Sequence, residues 1–397
     1  MPTRGIAFDV KEAQSILREQ KIDAWLIYDF RGLNAIAREL FHLDGHMLTR
    51  RWFFFIPQKG DPILLAHRIE EKNFPSLPGE MRFYAGLLEL EAQLAKLLKG
   101  CKRAAMEYSP RCSIPTVSYV DAGMLEMVHG LVPEIVSSAN LVQYFTCRWS
   151  DEQLASHKEA AGILHRAQSD AFEFIQRELS AGKKITEYDV QQHIAKDIKS
   201  AELTAHAEPI VAVNANASNP HYAPTASQNT KIRKNDVVLI DLWGKKTTPR
   251  AVYADITWMG YVGKKPPEKV QQVFNTVVAA RDAGVEFIRE SFKRGETMQG
   301  YRVDEVVRGV IVKAGFGEYF FHRTGHSIGV EVHGNGVNID GYETRDLRDI
   351  IPGVGFSIEP GIYLPEFGAR TEIDVYFGAR GPEIFTAPQK QLTLLSI

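Results

Sequence analysis

The sequence is poor in cysteine, has no basic surplus and contains no long apolar run. Its three cysteines, Cys101, Cys112 and Cys147, lack the CxxC or Cys/His spacing of a zinc site, so we expect reduced and mostly buried thiols. The formal net charge is -2 and Lys and Arg form no extended run, which argues against a nucleic-acid partner. No segment reaches the length of an apolar transmembrane span, which argues against a membrane partner.

The amino terminus also lacks the apolar core of a secretory signal. Residues 1–5 lead into a polar, amphipathic stretch at 10–20, and we therefore expect a cytoplasmic protein. The chain has 397 residues, of which 44% are hydrophobic and 24% are charged. These values are typical of a globular protein that is long enough for two domains with cores that need no disulfide.

Helical and strand-like patterns alternate over the first part of the chain. This alternation predicts an α/β domain at residues 1–149. The predicted helices lie near 10–20, 87–98 and 118–129, and the predicted strands near 24–28, 52–56, 62–66 and 104–108.

The pattern changes at Ser150 and Asp151, either of which can cap a long helix that ends near Leu179. We place a boundary there and predict a second domain at residues 150–397. Its predicted helices lie near 186–201, 266–291 and 303–314, and its predicted strands near 210–213, 237–241 and 254–260. The C-terminal third of the chain is rich in glycine and in strand-like patterns.

Two aspartates of the second domain follow apolar strand residues. Asp241 ends one such run, and Asp255 lies in the next. If residues 245–250 form a hairpin loop, both carboxylates face one pocket, where their hard oxygen atoms suit a divalent cation. The alternative is that each aspartate ends a strand or serves a turn.

Three histidines, His322, His326 and His333, stand among glycines and apolar residues. A single histidine is usually a hydrogen-bonded structural residue, but imidazole also binds metals and transfers protons near neutral pH. Nearby glycines let the backbone approach a ligand closely. The cluster is therefore a candidate for metal binding or proton transfer.

Two glutamates lie in apolar, strand-like surroundings near the carboxyl end. Glu359 precedes a Pro-Gly turn, and Glu372 follows Arg370, with which it could form an ion pair instead of a metal site. A buried glutamate is costly unless it is paired or metal-bound. Four carboxylates and one histidine could hold two ions and a bridging water whose pKa the ions depress. That arrangement predicts hydrolysis of an amide-like bond.

The order Asp241, Asp255, His326, Glu359 and Glu372, with the strings GHSIG, EVHG and IEPGIY, resembles the pita-bread metallopeptidases. This family includes methionine aminopeptidase, aminopeptidase P and prolidase. The resemblance extends from about residue 150 to the carboxyl terminus, and residues 1–149 look like the amino-terminal domain of creatinase, prolidase and aminopeptidase P. It implies a creatinase-like α/β domain followed by an α+β pita-bread catalytic domain.

The resemblance also implies roles for single residues. The five residues above would bind two divalent ions, with manganese favoured and zinc or cobalt as alternatives. The implied catalytic residues are His221, which stabilises the tetrahedral centre, His333, which contacts the scissile amide, and Glu359, which relays a proton. The implied substrate-binding residues are His322, Arg345, Tyr363 and Arg370. Arg345 would bind the C-terminal carboxylate of the substrate, with Arg348 as a competing candidate.

Two features depart from the family pattern. The segment between Asp241 and Asp255 is longer than in most members, which could alter access to the site. Ala207 stands where many members have a tyrosine that assists proton transfer, so Tyr363 or a water would take that part.

The leading hypothesis is a Xaa-Pro dipeptidase that acts on small peptides through a metal-bridged hydroxide. An aminopeptidase P would accept longer Xaa-Pro peptides. A non-peptidase hydrolase similar to ectoine hydrolase would cleave a small C–N compound, and Ala207 keeps that hypothesis open. A non-catalytic binding module is the third alternative, although all five ligand positions are retained. We expect a homodimer, because dimers are typical of the family.

Overall fold

The computed structural model describes residues 8–397, which form two compact units. The first unit ends at Thr146, and the second runs from Cys147 to Ile397, close to the predicted boundary at 149/150. Ser150 caps the first long helix of the second unit. Its Oγ accepts the N–H of Gln153, whose side chain accepts the N–H of Ser150 in return.

The first unit is a six-stranded mixed sheet with helices. The helices are α1 (Val10–Glu19), α2 (Ala35–Phe41), α3 (Leu87–Leu97), α4 (Ala122–His129) and α5 (Ala139–Val142). The strands are β1 (Ala24–Phe30), β2 (Arg51–Pro57), β3 (Ile63–His67), β4 (Glu80–Tyr84), β5 (Arg103–Met106) and β6 (Glu134–Ser137). Their order is β4-β3-β2-β1-β5-β6, with β2 antiparallel to both its neighbours and the other pairs parallel. The predicted α/β character of this part is confirmed.

Both faces of this sheet are buried. Trp25 and Ile27 of β1 belong to one hydrophobic cluster, whereas Leu26 and Tyr28 belong to another. Successive strand residues point to opposite faces, so the apolar run from Ala24 to Tyr28 in β1 is what a strand covered on both faces requires.

The second unit combines long helices with short strands. The helices are α6 (Asp151–Ser180), α7 (Glu187–Ser200), α8 (Glu268–Lys293) and α9 (Gly300–Lys313). The strands are β7 (Leu203–Thr204), β8 (Ile210–Val213), β9 (Val237–Lys246), β10 (Ala254–Tyr261), β11 (Ser327–Ile328), β12 (Val354–Ile358), β13 (Gly361–Tyr363), β14 (Gly368–Arg370), β15 (Ile373–Gly378), β16 (Gly381–Ile384) and β17 (Thr393–Leu394). One sheet has the order β17-β10-β9-β7 with β8 also paired to β9, a second has the order β11-β12-β15-β16, and β13 pairs with β14.

The strands β9 and β10 form the antiparallel hairpin that the sequence predicts. Asp241 lies opposite Thr257, and Asp255 lies opposite Trp243. The alternate residues of β9, Val238, Ile240 and Leu242, pack in one hydrophobic cluster with residues of α6 and α7. The helices therefore cover one face of the hairpin, and the two aspartates lie on the other.

Some predicted details differ from the structure. Helix α4 begins at Ala122 rather than near residue 118, because the side chain of Asp121 caps it by accepting the N–H of Met124. Cys112 is exposed, so the expectation of mostly buried thiols is wrong for that residue. Within residues 8–397, none of the helices combines the length and apolar character needed to cross a bilayer.

Gly325 lies at a close approach of two chain segments. A Cβ atom at this position would lie 1.9 Å from the carbonyl oxygen of Ser357. We expect Gly325→Ala to lower the free energy of unfolding, measured with urea, by roughly 3 kcal/mol, because the backbone at Ser357 must move to admit the methyl group. Gly309→Ala is the matched control, since a Cβ there meets no atom within 4 Å in helix α9. Equal stability of the two variants would contradict the packing described.

Candidate active site

Asp241 and Asp255 lie on the floor of a cavity in the second unit. They are 7% and 5% exposed, respectively. Neither ends its strand, since β9 continues to Lys246 and β10 to Tyr261, so the alternative role in a turn is wrong. Because the two aspartates are staggered by two positions on the same face of the hairpin, their carboxylates lie side by side.

The second sheet contributes His326, Glu359 and Glu372. His326 precedes β11, Glu359 follows β12 and Glu372 precedes β15, and β12 pairs antiparallel with both other strands. This pairing brings the three residues to the same end of the three strands. The N–H of His326 donates to Ser357 Oγ at 3.0 Å, and the N–H of Ser357 donates to the carbonyl of His326 at 2.8 Å.

These side chains converge on one point. Single ligand atoms of Asp255, His326 and Glu372 all lie within 4.8 Å of one another. His326 Nε2 lies 3.8 Å from Asp255 Oδ2 and 3.3 Å from Glu359 Oε1. The structure thus brings together all the residues that the sequence predicts as metal ligands.

Burial and mutual repulsion disfavour the charged forms of these groups. Burial, followed by the charge of Asp241, raises the pKa of Asp255 well above its usual range, and burial, followed by the charge of Asp255, does the same for Glu372. Burial raises the pKa of Glu359 to about 7, although Arg370 opposes the shift. Burial also lowers the pKa of His326 well below its usual value. The site holds clustered acids beside a neutral imidazole.

The donor set fits divalent cations. Asp241 Oδ1, Asp255 Oδ1 and Glu372 Oε1 are buried and have no hydrogen-bond partner among the described residues. Unpaired buried carboxylate oxygens are costly, and a cation between them removes both the repulsion and the missing partners. Oxygen atoms together with one imidazole suit hard or borderline divalent ions.

Arg370 connects the side chains at the floor of the cavity through hydrogen bonds. Its Nη2 donates to Asp241 Oδ2 at 2.5 Å, its Nε donates to Thr257 Oγ1 at 3.3 Å and its Nη1 donates to the Tyr363 hydroxyl at 3.0 Å. Thr257 in turn donates to Glu372 Oε2 at 2.8 Å. The alternative ion pair between Arg370 and Glu372 is therefore wrong, since the guanidinium pairs with Asp241 instead.

His322 is held at both ring nitrogens. Its Nδ1 donates to the carbonyl of Arg323 at 2.6 Å, which leaves Nε2 to accept the hydroxyl of Tyr363 at 2.7 Å. Burial, followed by the charge of Arg370, lowers the pKa of His322 to about 3, so the ring is neutral near pH 7. His322 thus forms a fixed wall of the cavity.

The cavity above the floor has a volume of about 670 Å³. Besides the predicted ligands, the predicted residues that line it are His221, His322, His333 and Arg370. His221 and His333 are exposed, and within residues 8–397 no hydrogen bond engages their ring nitrogens. Burial, followed by the charge of Arg323, lowers the pKa of His333 to about 4. These two imidazoles are available to a substrate.

Two predicted substrate-binding residues do not line the cavity. Tyr363 is 4% exposed and lies behind His322 and Arg370, where it links them. Arg345 is exposed, and its guanidinium lies 4.5 Å from the ring centre of Tyr301. Its predicted carboxylate contact is therefore not supported by its position. Spacing along the chain could not reveal that an aromatic ring holds this side chain elsewhere.

Sequence reasoning also missed residues that line the cavity, notably Trp243 and Arg323. Trp243 stands two positions after Asp241 on the same strand, so strand alternation alone could have placed it beside the aspartate. Arg323 lies inside the histidine cluster that the sequence singles out. No pattern distinguished it there from a surface arginine.

Ala207 lines the cavity, where its methyl group offers no proton donor. Of the long segment between Asp241 and Asp255, Trp243 lines the cavity. Residues Val252 and Tyr253 of the same segment are buried in a cluster with Val332, which lines the cavity. Val252 and Tyr253 therefore pack behind the cavity wall.

Glu187, the first residue of α7, anchors the segment that carries His221 and was not predicted. It is fully buried, and both of its carboxylate oxygens accept hydrogen bonds. The four nearest donors are the N–H of Val213 at 2.7 Å, Asn216 Nδ2 at 2.9 Å, the N–H of Thr230 at 2.6 Å and the hydroxyl of Tyr222 at 2.6 Å. One carboxylate thus ties both ends and the middle of residues 213–230 to the helix.

Known proteins resemble this chain in sequence and in structure. The model of metallopeptidase family M24 matches residues 155–379. A Xaa-Pro dipeptidase of Lactobacillus delbrueckii subsp. lactis is 26% identical over 354 residues, which cover 86% of this chain and 88% of the relative.

Solved structures share the fold over nearly the whole chain. The dipeptidase PepE from Mycobacterium ulcerans matches with a TM-score of 0.69 at 22% identity, over 98% of this chain and 97% of that one. An X-prolyl aminopeptidase from Caenorhabditis elegans, described as a cytosolic enzyme with a di-nuclear active site, matches with a TM-score of 0.61 at 17% identity, over 95% of this chain and 61% of that one. At these identities the likeness concerns the fold.

The raised pKa values generate a prediction for metal binding. Acids that hold protons in the metal-free site must release them to a cation, so the apparent affinity for Mn²⁺ should rise as pH increases through about 7, the pKa of Glu359. Titration calorimetry in buffers of different ionisation enthalpy should detect proton release. Asp255→Asn, which changes a predicted ligand, should abolish the binding. An affinity that does not change with pH would contradict the electrostatics described.

A second prediction concerns Glu187. In Glu187→Gln an amide N–H₂ group replaces one carboxylate oxygen, so buried donors lose their acceptor. We expect the free energy of unfolding, measured with urea, to fall by roughly 3 kcal/mol. Limited proteolysis should cut residues 214–230 faster than in the wild type. Glu173→Gln, at an exposed position of α6, is the matched control and should change neither measurement. Unchanged proteolysis of Glu187→Gln would show that the segment is held by other contacts.

Proposed function

Because the chain belongs to metallopeptidase family M24, we propose that it is a Xaa-Pro dipeptidase that acts through two divalent metal ions. The predicted family and its pita-bread fold are confirmed. The observation that carries the proposal is the convergence of Asp255, His326 and Glu372 within 4.8 Å on the floor of a cavity. The name of the bacterial relative supports the substrate, and the di-nuclear site of the nematode enzyme supports the number of ions.

The five residues of the floor would hold the ions. These are Asp241, Asp255, His326, Glu359 and Glu372. When bound, the ions supply Lewis-acid activation of a water and of the scissile carbonyl. A carboxylate-rich set with one imidazole suits Mn²⁺, and Zn²⁺ or Co²⁺ fits the same donors.

His221 and His333 bind the reacting amide in this proposal. Both rings line the cavity and have no competing hydrogen bond within residues 8–397. His221 donates to the carbonyl oxygen on which negative charge develops, which lowers the barrier most when the donor is already in place. His333 contacts the scissile amide.

Glu359 transfers the proton. Its side chain is 16% exposed, against 10% for Asp241 and 7% for Asp255, so it presents its carboxylate to the cavity more than those two acids do. One of its oxygens takes the proton of the attacking water and delivers it to the nitrogen of the leaving proline.

His322, Tyr363 and Arg370 act as positioning residues. Their chain of hydrogen bonds runs from the cavity wall to Asp241 and keeps the floor in place while the substrate is exchanged. Tyr363 is 4% exposed, so in this proposal a water takes the part of the tyrosine that Ala207 replaces.

The cavity volume of about 670 Å³ suits a small peptide. A homodimer in the cytoplasm, with small peptides as substrates and neither nucleic acid nor membrane as a partner, completes the proposal. These last points stay predictions.

The proposal is tested with the purified protein loaded with Mn²⁺, Zn²⁺ or Co²⁺. We expect about two ions per chain and a higher kcat/KM for Xaa-Pro dipeptides than for Xaa-Pro tripeptides or ectoine. Asp255→Asn should lower metal content and reduce kcat/KM at least about 100-fold, because it removes a ligand. Asp61→Asn, at an exposed position of the first unit, is the control.

The possible results separate the hypotheses. Higher activity on tripeptides would indicate an aminopeptidase, and activity on ectoine alone would indicate a non-peptidase hydrolase. A protein that binds no metal, and whose Asp255→Asn variant behaves like the wild type, would overturn the site itself.

A further inference from the structure

Two fully buried, ionisable side chains of the second unit have no part in the reaction proposed above. They are His157 on helix α6 and Asp374 on strand β15. His157 Nε2 lies 3.9 Å from Asp374 Oδ2. Such groups are rarely buried this completely, and their burial is costly unless hydrogen bonds replace the lost hydration. Their contacts therefore indicate what they do.

Both side chains bind the backbone where strand β10 begins. Asp374 Oδ2 accepts the N–H of Asp255 at 2.8 Å, and His157 Nδ1 donates to the carbonyl of Tyr253 at 2.8 Å. The N–H of Tyr253 donates to the carbonyl of Gly329 at 3.0 Å. Residues 253–255 are thus held from helix α6, from strand β15 and from the residue that follows β11.

The ring of His157 is fixed in its orientation. It packs against the ring of Trp149, with the ring centres 4.8 Å apart, and Trp149 stacks on Tyr376 of β15. Burial lowers the pKa of His157 to about 4, so the ring is neutral near pH 7. A carbonyl oxygen only accepts, so Nδ1 carries the proton. Because Nε2 has no hydrogen-bond partner among the described residues, the ring uses its one donor on the carbonyl of Tyr253.

Repulsion opposes the burial of Asp374 beside the four carboxylates of the floor. Besides burial, the charge of Asp374 contributes to the raised pKa of Asp255 and of Glu372. Asp374 Oδ1 has no hydrogen-bond partner among the described residues. The compensating contact that this side chain makes is therefore the hydrogen bond that Oδ2 accepts from the backbone of Asp255.

We propose that His157 and Asp374 are positioning residues that fix the backbone at Asp255 and so hold its carboxylate in place for the metal ions. One binds the carbonyl of residue 253 and the other the N–H of residue 255, so the backbone is held on both sides of residue 254. Groups that orient a ligand in advance raise the affinity for the metal, because the ligand need not be ordered when the ion binds. The inference rests on the proposed function, which assigns Asp255 to the metal site.

The first test compares two uncharged substitutions of similar size. Asp374→Asn keeps an acceptor for the N–H of Asp255, whereas Asp374→Leu has none, and both lack the charge that would itself attract a cation. We expect Asp374→Leu to weaken the binding of Mn²⁺, measured as Kd by titration calorimetry, roughly 10- to 100-fold more than Asp374→Asn does. The visible absorption spectrum of bound Co²⁺, which reports the geometry of the ligands, should change more in Asp374→Leu than in Asp374→Asn.

A second pair of variants tests the other contact. His157→Asn keeps an amide N–H₂ group near the position of ring Nδ1, whereas His157→Leu removes the donor, so His157→Leu should weaken Mn²⁺ binding more. His165→Leu is the matched control on helix α6, because His165 Nδ1 has no hydrogen-bond partner among the described residues. Its Kd should stay close to that of the wild type. Combining His157→Leu with Asp374→Leu should weaken binding less than the product of the single effects, since both act on one backbone segment.

Hydrogen exchange supplies a readout that requires neither metal nor turnover. In the metal-free protein, the backbone amide of Asp255 should exchange faster in Asp374→Leu than in Asp374→Asn or the wild type, because it has lost its acceptor. Nuclear magnetic resonance or mass spectrometry measures this rate. Thermal unfolding establishes that each variant is folded. If Asp374→Leu fails to fold, the His157 variants provide the same comparison.

Several results would overturn the inference. One is an equal Kd for Mn²⁺ in Asp374→Leu and Asp374→Asn, with equal exchange of the Asp255 amide. Another is a lower unfolding temperature in Asp374→Leu with no change in Kd or exchange, which would indicate a purely structural role. A wild type that binds no metal would overturn the proposed function, and exchange at Asp255 would still decide whether the two side chains fix this backbone.

Discussion

Four carboxylates face one another across the floor of one cavity, and their mutual repulsion is the constraint to which the surrounding structure responds. Each carboxylate loses hydration on burial, which costs several kcal/mol unless a counter-charge replaces the water. Asp241 forms an ion pair with the guanidinium of Arg370. One oxygen each of Asp241, Asp255 and Glu372 still lacks a hydrogen-bond partner among the described residues. Divalent cations provide what the protein side chains do not, so metal binding and the integrity of this floor are coupled.

The polar groups around the floor fall into two classes. Arg370, Tyr363 and His322 are bound to one another and to the floor, and their geometry is set before a ligand arrives. His221, His333 and Arg323 also lie at the cavity but have unengaged polar atoms within residues 8–397. The first class preserves the site and the second is available to the substrate, which is the separation that preorganised catalysis requires.

The β9–β10 hairpin shows how one element serves both stability and chemistry. Its even-numbered residues pack under α6 and α7, and its odd-numbered residues include Asp241 and Asp255. The free energy gained by burying the apolar face offsets the cost of burying the acidic face. In the first unit, β1 is buried on both faces and carries no comparable polar side of its own.

The sequence alone was enough to place Asp241 and Asp255 on neighbouring strands, to locate the start of a long helix at Ser150 or Asp151, and to identify five residues in the order of a metallopeptidase family. These properties depend on local spacing and on family motifs. The fold was needed to show that Tyr363 lies behind the cavity, that Arg345 packs against Tyr301, and that Arg323 and Glu187 lie near the site. The physical reason is that the partner of a long charged side chain depends on distances between residues far apart in the chain, which no local pattern encodes.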